Sequence, residues 1–226
     1  MLSPAAQQRA AFARVEPAKL ALNAESELVL AKFAMDLAHI QRLKSRQKRT
    51  QAKQGRLPDY QAWLDEQCLQ LEPLPAQKAN IFAWLLIWHV DTRQYGRALE
   101  LLSFAVSQDL AAPNGFERSL AELVTEELSL DLLQNETCTT QADLLTRLAQ
   151  LVAGQDMADP IMAKLYKAQG LACFNTQPAE AKAYFQQAQA LYSKVGVKRY
   201  LNQLNTSPRR KTAKASLQAY QLSARA

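Results

Sequence analysis

Residues 76–110 read AQKANIFAWLLIWHVDTRQYGRALELLSFAVSQDL, and the fold class turns on them. Ala79–Val90 (ANIFAWLLIWHV) is apolar nearly all round, the composition of a helix buried on several sides. A turn over Asp91–Gly96 leads into Arg97–Gln108, where Ala98, Leu101, Leu102 and Ala105 recur at i, i+3, i+4 and i+7 on one helical face. Pro113-Asn114-Gly115 then ends the unit. Two helical periods joined by a short turn predict a hairpin of helices.

A second hairpin follows further on, with Ile161–Phe174 and Pro178–Val195 joined by Asn175-Thr176-Gln177 and Pro178 suited to a helix start. Ala98/Leu102/Ala105 and Ala181/Phe185/Ala188 share the A-x3-[LF]-x2-A spacing of tetratricopeptide second helices, a weak signal of packing in which small residues let paired helices approach. Between the hairpins, Phe116–Gln134 carries Leu120, Leu123, Val124, Leu128 and Leu132 on one face, and Thr140–Ala153 carries Leu144, Leu145, Leu148, Leu151 and Val152. Towards the N-terminus, Pro58–Leu71 offers Tyr60, Trp63, Leu64 and Leu71 for burial before Pro73 and Pro75. A long helix is expected from Asn23, capped by Asn23 or Ser26, with Val29, Phe33, Leu37 and Ile40 as its stripe and Leu28, Ala31, Met35 and Ala38 widening it. The expected architecture is all-α: an N-terminal arm over 1–22, a long helix over 23–56, a core of antiparallel helical hairpins over 57–205, weakly tetratricopeptide-like, and a flexible basic tail over 206–226.

Charge is sorted along the chain. Residues 1–41 are neutral, residues 42–56 carry +7, residues 57–193 carry −9 and residues 194–226 carry +8. The first basic block is QRLKSRQKRTQAKQGR, residues 41–56, with Arg42, Lys44, Arg46, Lys48, Arg49, Lys53 and Arg56 and no acidic residue. The second includes Arg209, Arg210, Lys211 and Lys214. Acid-free basic segments flanking an acidic middle are the footprint of a polyanion-binding protein with a separate scaffold, against the alternatives of a solvated helix face or a protein-docking face. Beyond Leu43 the apolar stripe disappears where the charge begins. Neither block interleaves aromatic residues for stacking on bases, so contact with the backbone of double-stranded nucleic acid is expected. Neutralising about six phosphates per subunit would give a log–log salt slope of about −5.

Catalytic signatures are absent from the sequence: it has no Gly-x4-Gly-Lys-[Ser/Thr] and no GxGxxG, so no P-loop hydrolysis is expected. His39 and His89 lie 50 residues apart, each in an apolar helix, and are read as packing residues. Cys68, Cys138 and Cys173 are widely spaced and odd in number, and are read as small packing residues in a reducing compartment. Glu122/Glu126 and Glu127/Asp131 are i, i+4 pairs on one helix, whereas a two-metal nuclease needs carboxylates converging from different segments. They are read as a solvated acidic face, the alternatives being a docking face for a basic arm and a metal site. No catalytic residue, metal or cofactor is assigned. The N-terminal residues lack the apolar run of a signal peptide, no stretch approaches the ~20 apolar residues of a membrane span, and a soluble intracellular protein is expected.

Residues 76–110 resemble the central region of the GpM-type small terminase subunits of temperate tailed bacteriophages. In that family an apolar helix ending in a W-x-x-D-[TS]-G-like turn leads into an ALE-rich helix, and Trp88-His89-Val90-Asp91-Thr92 and Tyr95-Gly96-Arg97-Ala98-Leu99-Glu100 carry the pattern. Ser3-Pro4-Ala5, Met157-Ala158-Asp159-Pro160, Ala163–Lys167, Gly170-Leu171 and Gly196–Arg199 extend it in the same order over nearly the whole chain. The resemblance implies a homo-oligomeric ring that binds double-stranded phage DNA at the packaging-initiation, cohesive-end site and delivers it to the large terminase subunit, which holds the ATPase and nuclease. It also implies residence in the cytoplasm of the infected bacterial host rather than in the mature virion. Such proteins have also been labelled the endonuclease subunit, so the alternatives are a metal-dependent endonuclease making the cohesive-end cuts and a helical-repeat docking adaptor. Residues 1–56 show no clear helix-turn-helix of the kind many small terminases carry.

Overall fold

The computed structural model describes residues 17–206, with side chains from residue 27 onward, and every regular element among them is helical. The chain divides between Thr92 and Arg93 into two compact units. The single core expected over 57–205 is therefore split, and the division falls inside the first of the two expected hairpins.

The first unit contains α1 (Pro17–Arg42), α2 (Arg46–Arg56), a 3-10 turn (Leu57–Tyr60), α3 (Gln61–Cys68) and α4 (Ala76–Asp91). Helix α1 begins six residues before Asn23, because Pro17 has the backbone angle of a first helical residue and AKLALNA is rich in helix formers. The long helix expected over 23–56 is two helices. Leu43 donates its amide back to Ile40 at 3.1 Å, and Ser45 turns extended at φ −73°, ψ 127°. The Ser45 hydroxyl accepts the Lys48 amide at 3.4 Å, so a serine in the middle of the basic run starts a new helix instead of continuing the old one. Phe33 and Ile40 are buried along the α1 stripe, while Leu28 and Met35 stand 69% and 75% exposed.

The core of this unit is aromatic. Phe33 of α1 lies 5.4 Å from Trp88 of α4, and Tyr60 meets both rings nearly edge-on at 6.1 and 6.3 Å. Helix α4 buries Ile81, Phe82, Ala83, Leu85, Leu86, Trp88, His89 and Val90, as its apolar circumference requires. Helix α3 buries Trp63 and Leu64 but stops at Cys68, leaving Leu71 95% exposed instead of buried as expected. Glu72 precedes Pro73, and a residue before proline is pushed out of the helical region.

The second unit contains α5 (Tyr95–Ser107), α6 (Leu120–Gln134), α7 (Ala142–Leu151), α8 (Asp159–Ala172), α9 (Pro178–Leu191) and α10 (198–206). Helix α6 starts at Leu120, not Phe116, because Ser119 and Glu122 form a reciprocal capping box. Its Leu120, Val124, Leu128 and Leu132 are buried, as are Leu144, Leu145, Leu148 and Val152 in and just after α7. Helices α8 and α9 pack as a hairpin through Ala163, Ala181, Phe185 and Ala188, all fully buried. Gly170 makes this closeness possible, since a Cβ there would sit 2.5 Å from the Phe185 ring.

Candidate nucleic-acid interface

The seven cations of residues 42–56 all belong to the first unit, and the structure sorts them into two groups. Arg42 ends α1, Lys44 lies in the linker, and Arg46, Lys48 and Arg49 occupy the first turn of α2; all five are exposed. Among the described residues none of the five pairs with a carboxylate. The Arg49 guanidinium donates to the Leu43 carbonyl, at 3.4 Å. The first turn of α2 holds no acidic residue either, so these cations add to the positive end of the helix dipole instead of countering it.

Lys53 and Arg56, one and two turns further along α2, are half-buried and engaged. The Lys53 ammonium pairs with the Asp91 carboxylate at the end of α4. Arg56 donates through Nε to Asp36 Oδ1 at 2.6 Å and through Nη1 to the Ala52 carbonyl at 3.3 Å. Asp36 also accepts the Tyr60 hydroxyl at 2.7 Å and the Lys32 ammonium at 2.9 Å. Burial by itself would raise the Asp36 pKa, but the hydrogen bonds from Tyr60, Lys32 and Arg56 outweigh it and hold the carboxyl below the ordinary carboxylate range. For Tyr60, burial and the bond to Asp36 both push the hydroxyl pKa upward. Lys32 bridges on to Asp59 at 2.9 Å, so one carboxylate ties α1, α2 and the 3-10 turn together. Arg209, Arg210, Lys211 and Lys214 lie outside the described residues.

Of the four acidic residues expected to form a solvated face on α6, Glu127 is exposed and the other three are engaged. Glu122 caps its own helix and accepts the Ala158 amide at 3.2 Å. Glu126 takes the Lys164 ammonium at 2.6 Å and pairs with Arg118. Asp131 accepts Arg93 Nη2 at 2.6 Å, the Tyr95 hydroxyl at 2.6 Å and the Asn135 amide at 2.9 Å. Three carboxylates that looked like free surface charge hold the start, middle and end of α6 in place. Among the described residues, no group of three or more His, Cys, Asp and Glu side chains stands ready for a metal ion.

His89 is fully buried, with Nδ1 2.8 Å from the Leu85 carbonyl and Nε2 3.1 Å from the Gln61 amide nitrogen. A ring donating from Nδ1 and accepting at Nε2 satisfies both contacts, which makes it a packing histidine. His39 is exposed on α1. Cys138 is buried, and burial pushes its thiol up to about 11, far from a nucleophile's range.

The profile of the phage small terminase subunit family matches residues 30–160, more than half of the chain and the whole of the first basic block. The chain belongs to that family. It is also similar to the "Terminase, endonuclease subunit" of Escherichia phage P2, at 29% identity over 181 residues, which cover 79% of this chain and 72% of the relative. No solved structure matches. Membership places this small terminase subunit in phage DNA packaging. Among the described residues of the small terminase chain, no helix is long and apolar enough to cross a membrane.

The ion pairs of Lys53 and Arg56 were hidden from sequence reasoning, since their partners Asp91 and Asp36 lie 38 and 20 residues away. Helical spacing from α2 alone points to neither partner.

Proposed function

We propose that this small terminase subunit is the DNA-recognition component of the packaging machine and does not cut DNA by itself. It binds the duplex backbone through Arg42, Lys44, Arg46, Lys48 and Arg49, with Arg209, Arg210, Lys211 and Lys214 of the tail as a second contact. It assembles as a homo-oligomeric ring, engages the packaging-initiation region and passes the DNA to the large subunit, where the ATPase and nuclease reside. The observation that carries the reading is the exposure of five neighbouring cations without carboxylate partners among the described residues, beside two others that are paired. An acid-free first turn on α2 strengthens it, because the positive end of the helix dipole and the exposed cations there both favour an anion. A ring repeats the patch, and several modest contacts then act at high effective concentration.

Five neutralised phosphates per subunit predict a log–log salt slope of about −4.5. Replacing Arg46, Lys48 and Arg49 by Ala should reduce its magnitude by about 2.7 per subunit, measured by fluorescence anisotropy on duplex DNA between low and moderate salt. An unchanged slope and affinity would remove these residues from the interface. Mass measurement of the intact assembly tests the ring. The name of the phage P2 relative, a terminase endonuclease subunit, supports strand cutting as a second reading. It requires the purified chain with Mg²⁺ to nick cohesive-end DNA without the large subunit, and to lose that activity on Glu126→Gln or Asp131→Asn.

A further inference from the structure

A cleft of about 360 Å³ opens in the second unit between the end of α6, the end of α8 and the start of α10. Two cations face it. Lys167 of α8 is half-buried and donates to the Val195 carbonyl at 2.8 Å, which the turn at Gly196 (φ 79°) presents to it. Arg199 of α10 lies with its guanidinium 4.5 Å from the centre of the Tyr200 ring and donates to that ring's hydroxyl. The Tyr200 ring is in turn stacked on Phe185 at 5.2 Å, with Phe174 edge-on at 5.7 Å. The exposed guanidinium thus lies over a ring that itself belongs to a packed aromatic cluster.

Neither cation pairs with a carboxylate among the described residues, although Glu136 also borders the cleft. Burial and the nearby charge of Arg199 lower the Lys167 pKa, so the two cations repel across the cleft, and the Glu136 carboxylate on its border pairs with neither. Thr139 and Asn175 add a hydroxyl and an amide to the lining. Two cations, one exposed over an aromatic ring and one half-buried, with neutral donors beside them, match the charge and donor count of a phosphate group. The volume is at the lower end of small-molecule sites and admits a phosphate carrying a nucleoside, not only the bare ion.

We propose that this cleft binds a phosphate monoester, held between Lys167 and Arg199, as a site separate from the basic block of residues 42–56. Phosphate binding here does not depend on the DNA-recognition reading. The group has two possible sources, a free nucleotide or the 5′-phosphate at a DNA end.

The full-length chain is titrated with inorganic phosphate and with a nucleoside 5′-monophosphate by calorimetry, alongside Arg199→Gln, Lys167→Met and Glu136→Gln. Saturable binding is expected in the wild type, weakened about tenfold by Arg199→Gln and strengthened several-fold by Glu136→Gln, which removes a repelling charge. Lys167→Met also forfeits the Val195 contact, so exposed Arg199 carries the test if Lys167→Met does not fold. The Arg46, Lys48, Arg49 triple-Ala variant lacks the exposed cations of α2, and the Arg199-dependent binding should persist in it. No saturation by about 10 mM phosphate or nucleotide, or equal binding by wild type and Arg199→Gln, overturns the site. For the source, the triple-Ala variant is offered short duplexes with 5′-phosphate or 5′-hydroxyl ends. A preference for the phosphorylated end that Arg199→Gln abolishes assigns the site to DNA ends, while nucleotide binding without end preference assigns it to free nucleotide.

Discussion

Helix α2 of the first unit and helix α9 of the second are held in place by opposite means. The 14-residue α9 is seated by shape: Ala181, Phe185 and Ala188 are fully buried against α8, and Phe185 occupies the space that Gly170 leaves by having no side chain. The 11-residue α2 buries no residue at all. It is fastened by the Ser45 cap, by Lys53 to Asp91 and by Arg56 to Asp36. A helix as densely charged as α2 has no apolar face for packing, so part of the charge itself becomes the fastening. That contrast fixes how each helix should fail.

The largest effect is expected in the sterically seated pair. Gly170→Val places a branched side chain where even a Cβ lies 2.5 Å from the Phe185 ring, and the rigid aromatic cluster around Phe185 leaves it little room to move. Overpacking of this kind costs about 1–3 kcal/mol, with the upper end expected here, read as a lower urea midpoint. Combining it with Phe185→Leu should cost less than the sum of the two single changes, because the smaller side chain relieves the clash. Additive losses would mean that close approach at Gly170 is not what seats α9.

Next comes the electrostatic seat of α2. Asp36→Ala leaves the Arg56 guanidinium, the Tyr60 hydroxyl and the Lys32 ammonium without their shared acceptor, with Tyr60 fully buried. Loss of one partner of such a part-buried network costs about 2 kcal/mol at pH 7. The folded pKa of Asp36 lies below its unfolded value, so its contribution is complete above about pH 4 and is lost as pH falls through the folded value. The wild-type and Asp36→Ala urea midpoints should therefore converge as the pH falls below the ordinary carboxylate range and the carboxyl protonates. A gap that stays constant through that protonation would assign the loss to packing instead.

How much of this was legible beforehand differs between the two helices for a physical reason. The α9 seat is written locally, because Ala181, Phe185 and Ala188 fall at helical spacing and small residues at such positions announce close packing. The all-helical class and the encircling apolar surface of α4 were legible in the same way. The α2 seat is not local. Nothing in the spacing of residues 42–56 separates Arg46 from Lys53, and their difference arises only when Asp36 and Asp91 arrive from other helices. Ser45 illustrates the same limit: serine is tolerated inside a helix and favoured at its start, and with no apolar stripe beyond Leu43 the pattern could not choose. Glu126 and Asp131 of α6 were misread for the same reason, since Lys164, Arg118, Arg93 and Tyr95 come from other segments.

The smallest effects on stability, and the sharpest use of the contrast, lie within α2 itself. Lys53→Ala removes a part-buried ion pair and should cost about 1 kcal/mol, while the salt slope of DNA binding changes little, since Lys53 is already neutralised by Asp91. Replacing Arg46, Lys48 and Arg49 by Ala removes exposed cations without carboxylate partners among the described residues, and should leave the urea midpoint within about 0.5 kcal/mol of wild type. Alanine is also the better helix former, and relief of repulsion at the positive end of the dipole could make the triple variant slightly more stable. The same variant carries the reduced salt slope expected under the DNA-recognition proposal. One helix would then divide cleanly into a half that holds and a half that binds. If Lys53→Ala lowers the salt slope as much as each of the exposed cations does, the Asp91 pair opens when DNA arrives and the division belongs to the free protein alone.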